Sequence, residues 1–331
     1  MTFDILAPDI DAPSFDIERG VTGDAFRYHV FDEVDPGSIP AGLWESCDGI
    51  LVWHRMQITA DVVARMRRCR HIVRVGVGFD NVDTAACRAA GIAVSNVPNY
   101  GTTEVADHGM ALLLGLVRGI VPYQDRLRAD LVGGFDATGM PMVRRLRGAT
   151  FGAVGMGRIG TALARRARAF DMDIVYFDPL APSGHELGLG FRRVADLETL
   201  LAQSDIVSLH APLNAGTQGM MGAPEFARMK PGSLLINIAR GRLVQLDALH
   251  DALRSGHLAG AGLDVLQQEP PATPHPLLAA WQAREAWLDG RLLVTPHAAY
   301  YSAASYFDMR SFSAETLRLS LVENHVRDRV N

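Results

Sequence analysis

At 331 residues the chain is too long for one ordinary hydrophobic core, so two domains are expected, and 48% apolar with 21% charged residues describe a soluble globular protein. A net charge of −5 gives no electrostatic reason to bind nucleic acid, and the basic runs at 65–70 and 144–147 read as solvated faces. Cys47, Cys69 and Cys87 form no CxxC pair, which argues against a disulfide framework or a thiolate metal site and fits a reducing compartment.

The N-terminal twenty residues carry acids and no long apolar core, and no apolar run is long enough to span a bilayer. The expectation is a cytoplasmic protein with no metal and no membrane or nucleic-acid partner. Apolar, β-branched runs at 3–8, 26–31, 49–54, 72–78 and 92–98 alternate with segments whose apolar residues recur every three or four positions. That alternation predicts a parallel sheet with helices. A long helix is predicted from Thr102 to about 121, with Val105, Gly109, Leu112, Leu113 and Leu116 on one face, followed by a loop over 133–148. A second series then begins, with strands predicted at 149–155, 173–178, 205–211, 233–240, 260–266 and 291–297. Six strands in this rhythm make a doubly wound nucleotide-binding sheet. The final thirty residues read as helix.

The first strand of that series runs into Gly155-Met-Gly157-Arg-Ile-Gly160, a GxGxxG with a strand before it and a helix after it. Gly155 permits the tight turn, Gly157 lets the backbone approach a pyrophosphate, and Gly160 lets the helix pack closely on the strand. The diphosphate would sit at the helix N-terminus. Asp178 ends the next strand, eighteen residues after Gly160. An acid there accepts hydrogen bonds from the adenosine ribose and repels a 2′-phosphate, which favours NAD over NADP.

Polar residues recur at the later strand ends: His210 and Pro212, Arg240, Asp264 with Glu269 beyond it, and His297. In an open α/β sheet those ends face the ligand. The set suits hydride transfer to a 2-keto acid. Arginine's charged fork holds a carboxylate and polarises the neighbouring carbonyl. Histidine gives or takes the hydroxyl proton. A carboxylate on the far ring nitrogen fixes the tautomer and stabilises the imidazolium. Taken singly, Arg240 also reads as a helix-capping arginine and Glu269 as a loop acid.

The runs GAVGMGRIG…FDP, LHAPLNAGTQGMM, NIARGRLV, GLDVLQQEP and TPHAAYYS, with RVGVGFDNVD and IAVSNVPNYGTTEVADH earlier, resemble the D-isomer-specific 2-hydroxyacid dehydrogenase family over essentially the whole chain. The likeness is nearest to bacterial members similar to the C-terminal-binding-protein branch. The resemblance implies Arg240, Glu269 and His297 as the catalytic set. It also implies that the N–H groups of Val77 and Gly78 bind the substrate carboxylate. Asp264 would hold the nicotinamide amide, with Thr102, Pro212, Thr217 and Ala239 lining the dinucleotide. Arg158, Ile159, His210 and Ile238 join that cofactor set, and His54 joins Arg240 on the substrate. The implied architecture is two doubly wound α/β domains around a cleft. One is a flavodoxin-like substrate domain of residues 1–100 and 300–331, and the other a Rossmann NAD-binding domain of 101–299. A homodimer built on the nucleotide domain is implied as well.

The segment 270–295 is longer than in most of the family, and 277–288 suggests an extra helix. Residues 53–56, WHRM, stand where relatives carry specificity residues. They read either as a bulky, partly cationic pocket or as strand-end packing, and the first reading favours a medium or aromatic 2-keto acid over glyoxylate. GHE at 184–186 resembles a zinc alcohol dehydrogenase fragment without its cysteine ligands. Glu269 stands where formate dehydrogenases carry glutamine, which disfavours formate. An NAD(H)-sensing corepressor-like scaffold with little turnover remains the alternative to an enzyme.

Overall fold

The computed structural model describes residues 2–10, 12, 14–140 and 142–331, so Pro141 of the expected 133–148 loop lies outside the described residues. The chain forms two compact units, Met1–Gly101 with Tyr301–Asn331, and Thr102–Tyr300.

The first unit holds a parallel sheet of β1 (Phe3–Ala7), β2 (Phe26–Val30), β3 (Gly49–Val52), β4 (His71–Arg74) and β5 (Ala93–Ser95) in the order β2-β1-β3-β4-β5. This is the flavodoxin-like order. Leu6, Ile50, Val52, Ile72 and Val94 face one core with Trp44, Met56 and Ile58. The C-terminal helix Ala303–Glu323 lies against the sheet so closely that a Cβ on Gly49 would stand 2.9 Å from Leu317. Arg310 on that helix pairs with Glu18 at 2.6 Å, and both are buried.

The second unit is built on β6 (Thr150–Val154), β7 (Asp173–Phe177), β8 (Arg192–Arg193), β9 (Ile206–Leu209), β10 (Ser233–Asn237), β11 (Leu258–Leu263) and β12 (Leu292–Val294). The order is β12-β11-β10-β9-β6-β7-β8, every pair parallel, with the reversal at β6 that marks a Rossmann sheet. Successive side chains alternate between two cores: Leu235 and Val207 pack on one face, Leu234, Ile236 and Ile206 on the other.

Three sequence expectations change. The sheet has seven strands rather than six, because the two-residue edge strand β8 carries no apolar run. The helix from Thr102 ends at Val117, and a second helix, Ile120–Ala129, starts after Gly119 at φ 60°, a left-handed conformation natural to glycine. In the long segment only Pro276–Gln282 is helical. The expected apolar face of the helix Thr102–Val117 is buried throughout, and a Cβ on Gly109 would meet Ile238 at 2.7 Å.

Candidate active site

Because every strand of the second unit is parallel, all carboxyl ends open on one edge of the sheet, and the sequence-predicted residues fall there in spatial order. β6 leads into the glycine turn. Gly155 has φ 94°, and a Cβ on it would stand 3.0 Å from the His210 carbonyl carbon. A Cβ on Gly160 would stand 2.3 Å from the Gly155 oxygen, so the helix is seated on the turn. A Cβ on Gly157 would meet no atom within 4 Å, which leaves the approach open for a ligand. Arg158 and Ile159 begin the helix Arg158–Ala169, whose first N–H groups have no acceptor within the helix.

Asp178 follows β7. Its Oδ2 accepts the Met156 N–H at 2.8 Å and its Oδ1 the Leu180 N–H at 2.9 Å, which ties the glycine turn to the end of β7. A cavity of about 450 Å³ opens beside it, lined also by Phe177, Pro179, Glu186, Arg193 and Val194. Glu186 and Arg193 were not among the expected site residues. Arg193 sits on the unpredicted β8 and donates to the Asp178 carbonyl at 2.8 Å.

His210 follows β9, with both ring nitrogens buried and unpartnered among the described residues. Burial pushes its pKa down to about 3, so the ring is neutral. The Thr217 hydroxyl donates to the Pro212 carbonyl at 2.6 Å and shapes the loop after it. At the end of β10, Asn237 folds the turn by accepting the Ala239 N–H at 3.1 Å and donating to the Arg240 carbonyl at 3.0 Å, while Ile238 is buried. Thr102 opens the helix Thr102–Val117.

The structure brings His297 and Glu269 together: Nδ1 lies 2.6 Å from Oε2, with the two side chains 33% and 30% exposed. An ionised carboxylate only accepts, so Nδ1 carries the shared proton and Nε2 is left for other work. The other Glu269 oxygen accepts the Leu266 N–H at 2.7 Å. Burial alone would raise the Glu269 pKa; the hydrogen bond and charge of His297, the Leu266 N–H and the Arg240 charge outweigh it and hold the carboxyl below its ordinary value. Arg240 reaches this neighbourhood through Gly241. A Cβ on Gly241 would stand 1.9 Å from the Leu266 carbonyl carbon, so only glycine lets the two loops close on each other. Nothing local in NIARG reveals this contact.

Asp264 is 1% exposed, and protein groups engage its carboxylate. Oδ1 accepts from the Thr295 hydroxyl at 2.6 Å and the Ala298 N–H at 2.9 Å, and Oδ2 accepts from the Ala299 N–H at 3.0 Å. Its carbonyl takes the His297 N–H at 2.7 Å. These bonds hold His297 at φ 53°, a left-handed conformation that costs a side-chain-bearing residue about 1–2 kcal/mol. Thr295 also bonds His108 at 2.9 Å, and the Tyr300 ring packs edge-on to His297 at 6.4 Å.

The remaining expected residues belong to the first unit. His54 is exposed, whereas Trp53 and Met56 are buried in that unit's core, so the bulk of WHRM faces inward. The N–H groups of Val77 and Gly78 have no protein acceptor among the described residues, and the Val77 carbonyl accepts from Asn96 at 2.6 Å.

Residues 110–299 match the NAD binding domain of the D-isomer specific 2-hydroxyacid dehydrogenases. The D-3-phosphoglycerate dehydrogenase of Mycobacterium leprae (strain TN) is 35% identical over 309 residues, and the match spans 93% of this chain but 56% of that longer protein. The glyoxylate reductase of Korarchaeum cryptofilum (strain OPF8) is 37% identical over 276 residues, 82% of this chain and 79% of its own. Among solved structures, the D-lactate dehydrogenase of Aquifex aeolicus, complexed with NAD and lactic acid, has a TM-score of 0.85 at 27% identity and covers 97% of this chain and 96% of its own. With the glycine turn and the His297–Glu269 pair in the unit that the NAD binding domain matches, these likenesses show that the chain belongs to the D-isomer-specific 2-hydroxyacid dehydrogenase family.

Proposed function

We propose that the protein is an NAD-dependent D-2-hydroxyacid dehydrogenase, acting as a 2-keto acid reductase or in reverse. The observation that carries this reading is the 2.6 Å His297–Glu269 pair on the same sheet edge as the open glycine turn. The residues fit the cofactor. The space beyond Gly157 and the helix start suit a diphosphate, and Asp178 beside its cavity suits an adenosine ribose. Bound NADH would supply the hydride. Arg240 would grip the substrate carboxylate and polarise its carbonyl, and His297 Nε2 would deliver the proton while Glu269 stabilises the charged ring. Val77 and Gly78, whose N–H groups take no protein acceptor among the described residues, and the exposed His54 are the first unit's candidates for substrate binding.

The free thiols of Cys47, Cys69 and Cys87 support a cytoplasmic setting. Among the described residues no single helix is long and apolar enough to cross a membrane. Exposed Ile120, Val121, Leu131, Val132 and Phe135 cluster along residues 120–135 and favour a homodimer through the second unit. A light-scattering mass of about twice the chain's 35.9 kDa is expected, and a monomer mass removes that part of the reading.

The test is a mixture of protein, NADH and a panel of glyoxylate, pyruvate, hydroxypyruvate and phenylpyruvate, read as loss of NADH absorbance. Turnover is expected. Tight NADH binding with no turnover across the panel would favour the scaffold alternative, which the dehydrogenase and reductase relatives do not.

A further inference from the structure

The first unit holds three buried thiols that the dehydrogenase reading gives no role, and two of them precede neighbouring strands. Cys47 stands two residues before β3, and Cys69 two residues before β4. The strands pair in parallel, with Gly49 opposite His71. The ladder runs one step further back, since the Arg70 N–H donates to the Asp48 carbonyl at 3.0 Å. The next step back sets Cys47 opposite Cys69. Neighbouring strands lie about 4.8 Å apart, inside the roughly 4.4–6.8 Å between Cα atoms that a disulfide spans. Both side chains enter the core that holds Ile50 and Ile72.

The two thiols also interact. The Cys47 thiol first, and burial second, push the Cys69 thiol well above its ordinary value. A thiol held protonated reacts slowly, which suits sustained rather than brief exposure to an oxidant. Access differs among the three: Cys69 is 8% exposed, Cys47 1% and Cys87 0%. Burial, with Asp83 beside it, pushes the Cys87 thiol up to about 11. An oxidant therefore reaches Cys69 first, and Cys47 is the thiol facing it. So slight an opening favours a small oxidant over a bulky disulfide such as oxidised glutathione.

We propose that Cys47 and Cys69 form a reversible redox pair, oxidised to a disulfide within one chain by hydrogen peroxide. Cys69 loses its proton and its sulfur attacks one peroxide oxygen. The O–O bond breaks, and the departing hydroxide takes a proton to become water, leaving Cys69 as the sulfenic acid. Cys47 then loses its proton and attacks the Cys69 sulfur. The S–O bond breaks, and the second hydroxide leaves as water. Two thiols lose two electrons and two protons, and one peroxide becomes two waters. An external dithiol reverses the step by exchange. The link joins β3 to β4 at their amino ends, opposite the loops 53–56 and 75–78, and it keeps Cys69 from passing on to the irreversible sulfinic acid.

The test treats the folded full chain with hydrogen peroxide, then unfolds it, alkylates the free thiols and maps the peptides by mass. The expected product is lighter by two hydrogen atoms, with Cys47 linked to Cys69 and Cys87 alkylated, and dithiothreitol restores all three thiols. The same treatment in denaturant should give mixed links, because Cys69 lies nearer to Cys87 than to Cys47 in sequence. Cys87→Ala should leave the yield of the Cys47–Cys69 link within about twofold of wild type. Cys47→Ala leaves Cys69 without a resolving thiol, so Cys69 should gain two oxygens and dithiothreitol should no longer restore it. A native link through Cys87, a link between two chains, or three intact thiols in protein whose methionines are already oxidised overturns the proposal. A Cys47→Ala product that dithiothreitol restores overturns the resolving role of Cys47. If Cys47→Ala does not fold by circular dichroism, the wild-type peptide map alone decides.

Discussion

Replacing Glu269 by glutamine isolates the charge of the His297–Glu269 pair from its shape. The glutamine carbonyl can still accept from Nδ1, so the ring keeps its place, but the negative charge 2.6 Å from the imidazole is gone. Hydrogen bonds to charged groups are worth about 1.5–3 kcal/mol, and both side chains here are partly exposed, so a loss of roughly 10- to 100-fold in kcat at neutral pH is expected. The loss should fall on kcat, because the charged ring is needed in the reaction rather than in cofactor binding, and NADH affinity by fluorescence titration should change less than about twofold. A kcat within twofold of wild type, or equal losses in kcat and NADH affinity, would refute the proposed role. The same variant tests the pair's acid dependence. The Glu269 carboxyl is held below its ordinary 4.5, so its contribution to stability is present above that value and is lost as pH falls through the lower folded value. The melting-temperature gap between wild type and Glu269→Gln should therefore narrow as pH falls below 4.5, and a constant gap would count against the linkage.

Two further substitutions probe the parts around that pair. Gly241→Ala places a methyl group 1.9 Å from the Leu266 carbonyl carbon, a backbone clash expected to cost about 3 kcal/mol. In a unit of this size that lowers the melting temperature by roughly 6–12 °C, and turnover should fall further because Arg240 and Glu269 are pushed apart; melting within roughly 2 °C of wild type would show that the loops yield freely. Asp178→Ala removes the carboxylate beside the 450 Å³ cavity and should raise the NADPH-to-NADH ratio of kcat/KM roughly tenfold, the scale of one screened charge repulsion. An unchanged ratio would take Asp178 out of cofactor selection.

What the sequence made legible, and what it did not, follows from how far each signal reaches along the chain. The glycine turn is local, since strand, turn and helix lie within one short run, and its φ and close contacts appear where the pattern puts them. The predicted strands overran the ladders at their carboxyl ends: 233–240 shrinks to Ser233–Asn237 and 291–297 to Leu292–Val294. Apolar pattern cannot tell the last paired residue from the loop that follows it, and in a parallel sheet that loop is where ligand-facing residues sit. Helix 102–121 was overdrawn because Arg118-Gly119 breaks the backbone without breaking the apolar period. The edge strand β8 escaped because two arginines make no pattern at all, and Arg193 beside the cavity escaped with it.

The residues that hold the site in shape were the hardest to read, and Asp264 shows why. By resemblance it serves the nicotinamide. In the structure its carboxylate is occupied by Thr295, Ala298 and Ala299, and its carbonyl takes the His297 N–H. A histidine at φ 53° would not keep that conformation in a free loop, because nothing there would offset the strain. Four bonds to one buried aspartate, more than thirty residues earlier in sequence, offset the strain and fix the direction in which the imidazole points. Asp9 does the equivalent for residues 53–56, accepting the Trp53 N–H across 44 residues. In both units a buried carboxylate taking several backbone N–H groups fixes a short loop. Neither acid lies in a local pattern that announces this work, because the pattern it completes exists only once the sheet has formed.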